Sequence, residues 1–126
     1  MPSSILWTLP VPSTAFLDGG PTFEDRLGRE VALRLTYEGD DRDEVARLVF
    51  VGVEALRTTY MTACDDSMLV AYDKLVDCGD TDWLAAIRKA NTKKKHEIPG
   101  LKHLMIYFDD GPCYEAICKS FRVDRG

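Results

Sequence analysis

From Val31 to Glu38 the chain alternates: Val31, Leu33, Leu35 and Tyr37 are apolar, while Arg34, Thr36 and Glu38 between them are polar. A period of two is the pattern of a strand with one buried face. The acidic run Gly39-Asp40-Asp41-Arg42-Asp43 breaks it as a turn, and the more apolar Val45–Val53 reads as the return strand. Gly52 inside that strand predicts a bulge or a close backbone approach. Glu54 to Tyr60 alternates again, either continuing the strand past the bulge or starting a new one. Upstream, residues 1–25 form an extended lead-in, because Pro10, Pro12 and Pro21 remove backbone donors and Gly19-Gly20 adds freedom. Ile5, Leu6, Trp7 and Leu9 within it suit a short edge strand.

The period changes after Asp65-Asp66-Ser67. Met68, Leu69, Tyr72, Leu75 and Val76 fall on one face of a helix, which Gly79 would terminate. Asp80 or Thr81 caps a second helix, with Trp83, Leu84, Ile87 and Ala90 on its buried side. Residues 91–100 are polar and end in Pro99-Gly100, which predicts a loop. Leu101 to Val123 then carries two apolar runs around Asp109-Asp110-Gly111-Pro112, a β-hairpin signal. Strands joined by short turns favour antiparallel neighbours over βαβ crossovers. The expected fold is α+β: one domain over residues 1–126, with an antiparallel sheet of about five to six strands, curved or sandwich-like. One or two short helices lie between residues 66 and 91, and a C-terminal hairpin closes the chain.

Composition changes this picture little. At 126 residues, 45% apolar and 29% charged, the chain supports one core and is not of disordered type. A net charge of −5 argues against a general nucleic-acid or membrane-surface binder. The N-terminus has no basic segment, and prolines interrupt its apolar stretch, so neither a signal peptide nor a spanning segment is expected. Four cysteines without a secretory signal fit free thiols in a reducing compartment, and a cytoplasmic location follows as the expectation.

Candidate chemistry gathers in the final hairpin. A four-residue connection over 109–112 pairs Phe108 with Cys113, Tyr107 with Tyr114, Ile106 with Glu115 and His103 with Cys118. His103 and Cys118 would then share a face, the minimum for an activated thiol. Glu115 lies in an apolar stretch, where desolvation would raise its pKa towards general-acid range. The catalytic candidates are therefore His103, Glu115 and Cys118, and the ligand-binding candidates Tyr107 and Tyr114. No metal or other cofactor is expected. Cys113 and Cys118 point to opposite faces at their spacing, Cys64 and Cys78 stand far apart, and no close ligand pair occurs. The paired aspartates sit where turns and helix starts need them. Lys93, Lys94 and Lys95 lie past a helix end, with no aromatic residue between them to stack bases.

No phosphate-binding glycine loop or nucleophile elbow is present, which weighs against an enzyme. The leading expectation is a small non-catalytic interaction domain that binds a protein partner or itself as a homodimer. The alternative is a small-molecule-binding protein or enzyme with its pocket at the hairpin, lined by His103, Tyr107, Tyr114, Glu115 and Cys118. A third is a regulatory module touching nucleic acid through Lys93–Lys95.

Overall fold

The computed structural model describes residues 4–109 and 111–125. Residues 1–3 of the expected lead-in, and Asp110 of the expected hairpin turn, lie outside them. The strands are β1 (Ser4–Thr8), β2 (Thr22–Arg26), β3 (Glu30–Glu38), β4 (Asp43–Val51), β5 (Ala55–Thr59), β6 (Lys74–Asp77), β7 (Lys102–Tyr107), β8 (Cys113–Cys118) and β9 (Ser120–Arg125). They form two antiparallel sheets, ordered β1-β6-β7-β8-β5 and β2-β3-β4-β9. The α-helix α1 (Asp82–Lys93) and a 3-10 turn at Asp66–Ala71 sit on the five-stranded sheet. The fold is α+β with a C-terminal hairpin, in its sandwich-like form. Among the described residues, no helix is long and apolar enough to cross a membrane.

Alternation explains the layers. Val31, Leu33, Leu35 and Tyr37 of β3, with Ala46, Leu48 and Phe50 of β4, face Leu75, Leu104, Ile106, Phe108, Tyr114, Ala116 and Cys118 across the sandwich. Burying each large side chain of this set contributes about 1.5–3 kcal/mol. On the outer face of the four-stranded sheet, Ala32 and Val49 are also fully buried, with Glu24 paired to Ala32 and Arg122 to Val49. Glu24 bonds Arg47 at 3.0 Å, and Arg122 bonds Glu30 at 3.0 and 3.1 Å. Long charged side chains can cover small apolar ones while keeping their heads in water.

Three strands exceed the sequence expectation. Thr22–Arg26 pairs with β3 as an edge strand. The apolar run 113–123 is two strands, because the chain changes sheets at Lys119. The expected helix through Val76 stops early: its first part is the 3-10 turn, and Lys74–Asp77 is β6, set between β1 and β7. Asp73, at φ 58°, separates the two. Leu75 and Val76 then point to opposite faces and fill two cores, so sheet pairing overrides the helical periodicity.

Both β4–β5 and β8–β9 pass from one sheet to the other at a common corner. Val51 pairs with Ser120 on one side of it, and Ala55 with Ile117 on the other. Three residues, 52–54, thus face two, 118 and 119, which is a bulge that turns the ribbon. Val51 accepts the Lys119 N–H at 3.0 Å, and Ile117 accepts the Glu54 N–H at 2.8 Å. Gly52 makes the bend with φ +67°, and a Cβ there would come within 2.9 Å of the Lys119 side chain. Gly28, at φ +75°, has open space around it. Gly28→Ala should cost about 1–2 kcal/mol from left-handed backbone alone, and Gly52→Ala clearly more. Urea unfolding of the two variants tests this, and equal costs would mean that the corner is not crowded.

Candidate functional site

The outward face of the five-stranded sheet is where polar chemistry gathers. One cross-strand row runs Ile5, Val76, Met105, Glu115, Arg57. The next holds His103, Ile117 and Ala55. His103 pairs with Ile117 and Glu115 with Met105, so His103 and Glu115 are diagonal neighbours on one face, within reach of long side chains. The 3-10 turn covers one part of this face through Ala71, Val76, Met105 and Cys113, and α1 covers another through Leu84, Leu101 and Ile117. Between the two covers lies a cavity of about 540 Å³. Met105, His103 and Glu115 form its floor, Met68 and Val70 stand on one wall, and Thr81 and Trp83 on the other.

The floor is a connected network. Glu115 is 3% exposed and His103 4%. Arg57 grips the carboxylate with two bonds, Nε to Oε2 at 3.0 Å and Nη2 to Oε1 at 2.8 Å. His103 Nε2 reaches Oε1 at 2.9 Å, and its Nδ1 shares a 2.7 Å hydrogen bond with the Thr81 hydroxyl. Thr81 is the N-cap of α1 and accepts the Leu84 N–H at 3.3 Å. Trp83, two residues on, stands edge-on to His103 with ring centres 5.1 Å apart and carries the Arg57 guanidinium 4.3 Å above its face. A capped helix start thereby aims Thr81 and Trp83 at the sheet.

Burial pushes the Glu115 carboxyl up, but the hydrogen bonds from His103 and Arg57 outweigh it. They hold the group down, from an ordinary 4.5 to about 2. The expectation of a raised, acid-donating Glu115 is corrected: the desolvation is present, and a bidentate guanidinium more than offsets it. Hydroxyl, imidazole and carboxylate do stand in the order of a proton relay. Here each is already engaged, the hydroxyl capping a helix and the carboxylate shared with arginine.

The hairpin register differs by one residue from the sequence expectation. Tyr107 pairs with Cys113, Ile106 with Tyr114, Met105 with Glu115 and Lys102 with Cys118. His103 and Cys118 therefore lie on opposite faces, and the thiol–imidazole pair does not form. The physical reason is Glu115: the expected register puts it on the face of Leu104, Ile106 and Phe108, inside the sandwich. The observed one moves it out beside His103. Cys118 is fully buried between the sheets, and burial pushes its thiol up to about 12. Tyr114 also faces that core, stacked on Phe23 at 6.2 Å. Tyr107 faces outward, edge-on to Tyr72 at 6.1 Å, and is not a cavity residue. Lys93 ends α1 and Lys94 caps it, so that basic run belongs to the helix terminus.

Arg57, Thr81 and Trp83 belong to the site although no sequence motif marks them. Thr81 as a cap and Trp83 on the buried helix face were legible, but nothing local tied them to Glu115. Among the described residues no cluster of metal-ligating side chains is spaced to hold an ion.

A carboxylate held below its ordinary value stabilises the fold above pH 4.5, and that contribution is lost as pH falls towards about 2. Across this window wild-type protein should lose up to about 3 kcal/mol more than Glu115→Gln, measured by urea unfolding at each pH. Glu24 and Glu30, also lowered by arginine bonds, titrate in both proteins and cancel. Burial likewise raises Cys78 to about 12 and raises Cys113 further. Native protein at pH 8 should leave Cys78, Cys113 and Cys118 unalkylated by iodoacetamide, as mass spectrometry of its peptides would report. No family model matches this chain, and neither does any curated protein or solved structure, so the site is read from its own geometry.

Proposed function

We propose that this chain is a non-catalytic binding protein that takes a small organic molecule in the cavity on its five-stranded sheet. The observation that carries this reading is the floor beneath the cavity. Its buried polar groups satisfy one another, so they form a fixed surface rather than a set of reactive groups. About 540 Å³ falls in the range of small-ligand sites. The mixed lining, with Met68, Val70 and Met105 against Arg57, Trp83 and Thr81, is also characteristic of such sites. Arg57 and Trp83 hold each other in place, which lowers the ordering cost of any contact made to them. The test is a fragment screen followed through the methyl signals of Met68 and Met105. Binders should shift both, and Val70→Trp, which fills an exposed wall position, should weaken them by about tenfold. Binders that shift neither methyl would defeat the reading.

Self-association is a second reading, supported by β1. This edge strand, SILWT, carries no charge, whereas the other sheet edges carry Glu24, Asp25 and Arg26, Arg57, or Arg122, Asp124 and Arg125. Ile5 on it is 64% exposed. A twofold antiparallel contact sets a strand against itself, so an uncharged strand meets no self-repulsion. Sedimentation across a concentration series would show a dimer that Ile5→Lys abolishes; a monomer throughout would remove this reading.

A further inference from the structure

Resting on the cavity reading, we infer that the ligand is an organic cation, an ammonium group joined to an apolar body in the manner of an arylalkylamine. The charges around the cavity carry this. Its lining includes Asp65, Asp82 and Glu115, and Arg57 as the one lysine or arginine among the described residues there. Arg57 is neutralised in place, because two of its nitrogens hold Glu115 and its flat face lies on Trp83. With Arg57, itself half exposed, paired to Glu115, the charge left over on the lining is that of the two exposed aspartates, one on each wall. Asp66 follows Asp65 and Asp80 lies two residues before Asp82, and Arg88 lies 3.7 Å from Asp80.

The two aspartates differ in what the fold asks of them. Asp82 occupies the first turn of α1, where the positive end of the helix favours an acid. Asp65 precedes the 3-10 turn, yet among the described residues its side chain caps no backbone N–H there and receives only the Ser67 hydroxyl. Its carboxylate keeps acceptor capacity at the cavity mouth. Beside them, Met68 and Val70 on one wall and Met105 on the floor supply a polarisable, uncharged surface for an aromatic or aliphatic body. A carboxylate ligand would meet two aspartates, unpaired among the described residues, and a half-exposed guanidinium that already holds a carboxylate. An ammonium finds the opposite field.

The test uses three probes of similar shape: 2-phenylethylamine, 2-phenylethanol and 3-phenylpropanoate. Each is titrated at low salt into the full chain and followed through the Met68 and Met105 methyls. The amine should bind about tenfold tighter than the alcohol, as two rim ion pairs of ordinary strength would give. Added salt should shrink the difference. In Asp65→Asn/Asp82→Asn the amine should fall to the affinity of the alcohol, while unchanged binding of the alcohol shows that the cavity is intact. Equal or tighter binding of the alcohol or the propanoate in wild-type protein would overturn the cation, and leave the cavity reading standing. If none of the three moves either methyl, both fall.

Discussion

The pairing of β7 with β8 fixes where every other functional group goes. With Met105 opposite Glu115, the apolar set Leu104, Ile106, Phe108, Ala116 and Cys118 enters the sandwich, and His103 and Glu115 leave it together. A slip of one residue exchanges the two sets, placing a carboxylate between the sheets without its partners. The cost of burying a charge alone is several kcal/mol, larger than any preference a turn sequence can express. Register is thus set by one glutamate as much as by the hydrophobic pattern around it.

Once Glu115 faces outward it needs a cation and a donor, and the surrounding elements supply them from distant sequence. Arg57 arrives on the neighbouring strand β5, His103 on β7, and Thr81 and Trp83 from the start of α1. Removing the carboxylate would leave Arg57 over Trp83 but unanchored, and His103 with one ring nitrogen facing an emptied site. The network therefore couples helix placement to sheet pairing, since Thr81 both starts the helix and holds the imidazole.

Much of the architecture was legible in the sequence. The alternation at Val31–Tyr37, the cap at Thr81 and the hairpin signal after Leu101 each correspond to an observed element. Two things were not. Leu75 and Val76 satisfy a helical period as well as a strand, and only the pairing of β6 between β1 and β7 decides between them. The hairpin connection could be four residues or five on turn chemistry alone. One clue to the site was present: His103 and Glu115 are the polar intruders in two apolar strands, and a single register puts both outside the sandwich. The contribution of Arg57 had no local signal, because it depends on a contact 58 positions away in the chain.

The corner at Gly52 and Lys119 has a consequence for how the molecule comes apart. Arg57 and Glu115 sit on β5 and β8, and those strands continue covalently, side by side, into β4 and β9 of the opposite sheet. The two layers share a two-stranded ribbon, so neither can open without fraying the other, and they form one cooperative unit. The covers flanking the cavity are not woven into that ribbon. α1 and the turn at Asp66–Ala71 meet the sheet through small satellite clusters rather than the sandwich core. Fluctuations that widen the cavity thus come from its walls, while the floor persists until the whole fold is lost.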